Sequence, residues 1–391
     1  MLIKDVKARI IKDSRKADTI AVSVNGAEWA SSPNGKSVGE YETHSYYRSL
    51  KWCVDFLNAW CDEIVVKKFE DLAKVEKAIC KNAGLKNARE FGANSLYAFE
   101  SAVLKALASE TGQELFEVVG KYKKLPFPVG NVVGGGLHSS SIKEHPNFQE
   151  FLVIPFAKKI FENVKIMNFV YSEIGKKLNA KIVNDEGAWL VSTDDENALR
   201  ILDGVRTNAE KKFKTKIGIG LDIASSTLFK DNHYRYNTHS HSPQTQKYYI
   251  DKLISKYNLG YAEDPLEQKD FKGFAEINKT KGQKCLIVGD DLIATQYNRL
   301  VGAIRTKSIN AMIIKPNQNG SLLELKRIFD LCKKNKIKTV LSHRSGETLD
   351  SALADYAVGF GADYIKCGVA TKWREAKLNR LREIERHLRN L

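Results

Sequence analysis

Seven apolar runs between Ala180 and Cys367 each lead into an ionisable side chain. They are KIVNDE reaching Glu186, IGIGLD reaching Asp222, LGYAED reaching Glu263, LIVGDD reaching Asp290, AMIIK reaching Lys315, TVLSH reaching His343 and YIK reaching Lys366. Strand-length apolar segments that recur every 23 to 41 residues, with helical sequence between them, predict a parallel β/α barrel. Strands in such a barrel all run one way, so the residues at their C-terminal ends converge on one mouth. Here the mouth gathers acids, two lysines and a histidine, the chemistry of a divalent metal holding an anion beside a base.

The 391 residues exceed one typical domain and suit a barrel of about 250 residues with a smaller domain. Hydrophobic content of 43% and charged content of 28% are ordinary for a globular protein, so the core needs no disulfide. Cys53, Cys61, Cys80, Cys285, Cys332 and Cys367 form no CxxC pair and do not cluster with histidine as zinc ligands do. They are expected to be reduced and mostly buried, Cys367 beside Lys366 included, which points to an intracellular protein. The N-terminal MLIKDVKARIIKDSR carries charges throughout and lacks the apolar stretch of a signal peptide. No window reaches the roughly 18 apolar residues of a membrane span, so a soluble, cytoplasmic protein is expected. The net charge of +15 is spread along the chain and mixed with acids. LKRIFDLCKKNKIK and WREAKLNRLREIERHLRN read as amphipathic helices with solvated basic faces; loose RNA binding by bulk electrostatics is the alternative.

Residues 1–124 do not read as barrel. VKARIIKD and DTIAVSVNGAEWASS suggest paired strands with a turn at Asn25 and Gly26. SSPNGKSVGEYE reads as a loop. Apolar residues from Leu50 to Lys81 fall at helical spacing, and NSLYAFESAVLKALASETGQ begins another helix. This is a small α+β domain. KYKKLPFP, Lys121 to Pro128, is the expected linker, because its two prolines fix an extended chain. Residues 125–391 form the barrel domain. It starts with the strand-like PVGNVV and FQEFLVIP, separated by the glycine-rich GGGLHSSS, and continues with helical sequence from Ala157 to Leu178. The strand-helix alternation is expected to begin at Lys181.

Asp222, Glu263 and Asp290 end three successive strands. Hard cations such as Mg2+ take oxygen ligands, commonly one to three carboxylates with water and substrate completing the shell. One acid alone reads as a helix cap or a partner of lysine; three in register favour a metal site. Lys315 and Lys366 end later strands. A lysine beside a divalent cation loses stability as an ammonium, so its pKa is expected to fall and make it a usable general base. A salt bridge to the metal-site acids is the other reading. Glu186, across the mouth from Lys315, suits a proton donor to a departing hydroxyl, or an acid supporting the site from behind. SHRSGET, Ser342 to Thr348, follows a strand and is expected to open a helix. There Arg344 offers a donor fork for phosphate, with Ser345 and helix-start N–H groups beside it. His138 and Glu150 carry no local signal of function.

VNDEG, LDIASS, EDP, VGDDL, IIKPNQNGSL, LSHRSGET and YIKCG, in this order and spacing, resemble the enolase family. ARIIKDSR, PNGKSVGEYE, FGANS, LPFPVGNVVGGGLH, QEF and REAKLNRL extend the resemblance over nearly the whole chain. It implies an α/β barrel (TIM-like, ββαα then βα units) with an N-terminal α+β cap domain, at least a dimer, and dehydration of 2-phosphoglycerate to phosphoenolpyruvate with two Mg2+ per site. A Lys or His base with one or two Mg2+ is general to the superfamily. By the resemblance, Asp222, Glu263 and Asp290 hold one Mg2+, while substrate phosphate and Ser37 hold the second. Lys315 takes the C2 proton, Glu186 helps the C3 hydroxyl leave, and Arg344 and Ser345 bind phosphate. Lys366, His343, His138 and Glu150 complete the substrate pocket and its charge network. Arg9, Arg15 and the basic C-terminal helix are possible dimer contacts.

The chain departs from the family at several loops. It is some tens of residues shorter than usual. Gly134 stands where Asn is usual, and about three extra residues lie between His138 and Glu150. NDEGAWLVS replaces GDEGGFAPN, Lys36 precedes Ser37 where a small residue is expected, and Val38 replaces Thr. None removes a residue that performs the chemistry. Two other readings remain open: a relative acting on a different carboxylic acid, and a weakly catalytic scaffold with RNA or protein partners. Retention of Arg344, Ser345 and Ser37 argues against the first; Lys315, Glu186 and the three acids argue against the second.

Overall fold

The structure, a computed structural model, describes residues 1–36, 39–139 and 141–390, with the side chain of His138 outside the described set. In the N-terminal part, Val6–Lys12 and Asp18–Val24 form an antiparallel hairpin running from Val6↔Val24 to Lys12↔Asp18. Asn25 and Gly26 then take positive φ, 52° and 74°, as the expected turn requires of its Asn-Gly pair. The stretch read as helical from Leu50 to Lys81 is instead two helices, Leu50–Asn58 and Leu72–Ala83. Between them Ile64–Val65 pairs antiparallel with Leu2–Ile3. β-Branched residues beside an open strand gain more from the ladder than from continuing a helix. Helix Ala93–Thr111 is buried on every side from Ala93 to Ala108. It is the joint between the two parts: Tyr356 Oη donates to Ser101 Oγ at 2.7 Å, and Leu322 N–H donates to Glu100 Oε2 at 2.6 Å.

Eight strands close the barrel: Phe127–Gly134, Glu150–Pro155, Ile217–Asp222, Tyr261–Glu263, Leu286–Gly289, Ala311–Ile314, Lys338–Ser342 and Tyr364–Lys366. The last pairs with the first, Tyr364↔Phe127. One expectation is corrected at once. The strands do not all run one way, because Glu150–Pro155 is antiparallel to both neighbours. A parallel return needs a crossover, usually a helix, and the described residues of 135–149 hold only the short 3-10 turn Gly136–Ser139. Two helices, Ile160–Lys177 and Asp195–Phe213, precede the third strand, and strand-helix units follow. This is the ββαα-then-βα barrel with an N-terminal α+β part that the resemblance implies.

Three further readings change. The Glu186 run is not a barrel strand: Ile182–Val183 pairs with Trp189–Leu190, and that hairpin docks on Phe127–Gly134. Regular alternation therefore begins at Ile217, not Lys181. SHRSGET does not open a helix, since the next helix is Ala352–Gly359. The segment is held instead by the N-terminal part, through the Asn34↔Gly346 bridge and Ser14 N–H to Glu347 O at 2.8 Å. The stretch read as linker already contains strand residues from Phe127.

The core has two layers. Val129, Leu152, Ile154, Tyr261, Val288, Ala311, Ile313 and Val340 fill the barrel interior. Their neighbours along the strands, such as Ala262, Ile287, Met312, Ile314 and Leu341, pack outward against helices. This is the two-residue period of a strand. All six cysteines are free. No helix among the described residues is long and apolar enough to cross a membrane.

Candidate active site

The interior rows lead directly to the mouth. Two residues beyond Tyr261, Val288, Ile313 and Tyr364 lie Glu263, Asp290, Lys315 and Lys366. Glu150 lies two before Leu152, at the start of the reversed strand, and sits opposite Asp222. Asp222 in turn pairs with Glu263. The alternation that buries valine and isoleucine below therefore aims ionisable groups above. The row from Val340 ends at Ser342 and not His343. His343 still borders the mouth, where its N–H donates to Lys366 O at 2.9 Å.

A cavity of about 360 Å3 opens there, lined by Glu150, Glu186, Asp222, Asp290, Lys315, His343, Arg344, Ser345 and Lys366 among others. Glu263 lies just beneath it, fully buried. Lys366 Nζ bridges three acids: Glu150 Oε2 at 2.8 Å, Glu263 Oε1 at 2.9 Å and Asp222 Oδ2 at 3.1 Å. Lys315 Nζ meets Asp290 Oδ2 at 2.5 Å. The three expected metal acids share one wall, but in this state two face Lys366 and the third faces Lys315.

The electrostatics follow. Burial lowers the pKa of both lysines, but nearby acids outweigh it: Asp290 for Lys315, and Asp222, Glu150 and Glu263 for Lys366. Both are raised; the expected fall concerned a lysine beside a divalent cation, whose charge is not part of this balance. Burial, then Asp222, drives Glu263 well above the carboxylate range. Burial also pushes Asp290 up, yet Lys315 pulls it below the ordinary value. Burial and then Arg374 and Lys366 hold His343 well below the usual histidine value, so it is neutral.

This donor set fits a hard cation. The wall is built of carboxylates on neighbouring strands, and Asp290 Oδ1 is buried without a hydrogen-bond partner among the described residues. Single oxygens of Asp264, Asp290 and Asp291 come within 4.8 Å of one another. Asp264, however, spends both oxygens on the backbone, accepting from Asp290 N–H at 3.0 Å and Asp291 N–H at 2.7 Å. It shapes the loop that presents Asp290.

The Arg344 fork also borders the cavity and meets Glu42, Nη1 to Oε2 at 2.9 Å and Nη2 to Oε1 at 3.2 Å. The loop beneath is held by buried cations of the C-terminal helix Lys372–Asn390. Arg374 Nη2 donates to Arg344 O at 3.1 Å and Ser345 O at 2.9 Å, while Lys377 Nζ meets Glu347 Oε2 at 2.6 Å. Ser345 Oγ is buried without a hydrogen-bond partner among the described residues. Ser37 and the His138 side chain lie outside the described residues. The sequence reading missed Glu42, Gln149, Asp264 and Asp291. Asp264 and Asp291 were adjacent to chosen acids at the same strand ends. Glu42 and Gln149 reach the mouth from loops, with no periodic signal.

Comparison with known proteins is decisive. The family description "Enolase, C-terminal TIM barrel domain" matches residues 122–391, and "Enolase, N-terminal domain" matches residues 3–119. The chain belongs to the enolase family. A protein named Enolase from Natronomonas pharaonis is 36% identical over 98% of this chain and 99% of its own length. One from Archaeoglobus fulgidus is 36% identical over 98% and 97%, and one from Ehrlichia ruminantium 33% over 99% and 96%. As an enolase, the chain is a carbon–oxygen lyase, phosphopyruvate hydratase, serving the dehydration of 2-phosphoglycerate to phosphoenolpyruvate.

Proposed function

We propose that Lys315 is the base, Glu186 the proton donor and Arg344 with Ser345 the phosphate seat of this dehydration. The carrying observation is one cavity bordered by Lys315, Glu186, Arg344 and Lys366, with buried acids beside the first. The proton on C2, beside a carboxylate, is very weakly acidic. The Lys315 amine takes it, the C3–O bond breaks, and Glu186 in its acid form gives a proton so that the hydroxyl leaves as water. Lys366, His343, Glu150 and His138 complete the substrate pocket and its charge network in this reading.

The family uses Mg2+. Asp222, Glu263 and Asp290 would hold the first ion and Ser37 the second; such ions supply the positive charge against which a carboxylate can accept further negative charge. The charge balance at Lys315 supports this. Asp290 and Glu263 raise its pKa, while burial and Arg344 lower it. A cation sharing those acids would weaken their raising influence on Lys315, which favours the neutral amine that a base requires.

The division at about residue 124 into cap (1–124) and barrel (125–391), a cytoplasmic location, and a homodimer or larger ring belong to the same reading. Free cysteines throughout are consistent with a reducing compartment. The test is direct. Purified protein with Mg2+ and 2-phosphoglycerate is followed by the ultraviolet absorbance of phosphoenolpyruvate. Turnover is expected, abolished by EDTA, and reduced roughly 100- to 10,000-fold in kcat by Lys315→Ala with the fold intact. Undiminished activity in that variant removes Lys315 as the base.

A further inference from the structure

Glu186 rides on the turn 184–188, joining the two short strands of the side hairpin. That turn is organised by one side chain. Asn184 Oδ1 accepts the N–H of Glu186 at 3.0 Å and of Ala188 at 2.9 Å. Its backbone closes the same turn, with Asn184 N–H to Ala188 O at 2.9 Å and Gly187 N–H to Asn184 O at 3.0 Å. Tyr171 Oη donates to Gly187 O at 2.8 Å from the helix beneath. The Asn184 amide reaches this position only because Gly134 has no side chain. A Cβ at 134 would fall 2.5 Å from Asn184 Nδ2 and 3.4 Å from its Cγ. Gly134 is itself fixed, paired with Glu150 on one side and Leu190 on the other, so it cannot move aside.

We propose that Asn184 is a positioning residue for Glu186, admitted by Gly134, and that the two form a reciprocal pair. The side chain absent at Gly134 and the amide present at Asn184 occupy one space. The proposal rests on Glu186 as proton donor.

An exchange cycle tests it, using the full-length Mg2+-loaded protein and measuring kcat, KM for 2-phosphoglycerate and Tm. Asn184→Gly frees the turn, and kcat is expected to fall between about 10- and 100-fold with KM nearly unchanged. Gly134→Asn places two amides in one space, lowering Tm and kcat. The double variant Gly134→Asn/Asn184→Gly is expected to recover both well beyond the sum of the single effects. If Gly134→Asn does not fold, Gly134→Ala tests the same space. A loss of Tm in Asn184→Gly with kcat unchanged overturns the positioning role, and additive effects overturn the pair. Full activity of Glu186→Gln removes the donor assignment and the positioning role with it, while the Tm coupling between 134 and 184 would persist.

Discussion

At the residue scale, the behaviour of a buried ionisable group is decided by which neighbours share its burial. Lys366 is more deeply buried than Lys315, yet both are raised because acids lie within hydrogen-bond distance. Asp195 shows the opposite balance. It accepts from Phe148 N–H and Asn147 Nδ2 at 2.8 Å each, yet burial outweighs these bonds and pushes it up to about 6. A carboxylate raised in the folded state binds its proton more tightly there than in the unfolded chain. Its contribution to stability is therefore full below about pH 4 and lost as pH rises to about 6, a change of roughly 3 kcal/mol. Asp195→Asn is expected to flatten the stability–pH curve in that window, measured by urea unfolding between pH 4 and 7. An unchanged slope would show that another group sets it.

At the element scale, the segment 343–351, which contains the proposed phosphate seat, has no helix or long strand of its own. Its order comes from what packs against it. Arg374 and Lys377 approach from the C-terminal helix, and Ser14 and Asn34 from the N-terminal part. Lys377 is 1% exposed and Glu347 3%. Removing one partner of such a pair leaves a buried charge uncompensated. Lys377→Met is expected to cost about 3 to 5 kcal/mol, read as a lower urea midpoint with an unchanged slope. Retained stability would mean that the N–H groups of Arg344 and Thr348, which also bond Glu347, suffice.

At the scale of the whole molecule, one apolar core runs from the N-terminal sheet through helix Ala93–Thr111 to the outer barrel. The two parts are therefore expected to unfold together. The acids at the mouth come from strands scattered from Glu150 to Asp290, so a cation that holds them binds only the folded chain. Mg2+ at about a hundredfold over its Kd should stabilise by about 2.7 kcal/mol. Differential scanning fluorimetry is expected to show Tm rising with Mg2+ in the parent and little change in Asp290→Asn. An equal rise in both would place the ion elsewhere.

The sequence alone carried the barrel, because a strand buried on both faces must be apolar and its recurrence is visible in one dimension. It also carried Asp222, Glu263, Asp290, Lys315 and Lys366, since a charge ending an apolar run is conspicuous. His138 and Glu150 entered only by family likeness. Strand direction at Glu150, the hairpin beneath Glu186 and the helix-free SHRSGET segment were not legible. Each depends on which distant surface the segment meets, and local spacing holds no record of that. The same holds for Glu42 on Arg344 and for Asn184 in the space left by Gly134. Local preference and hydrophobic period set what each segment could become; contacts between residues far apart in the chain chose among those options and brought the charges together.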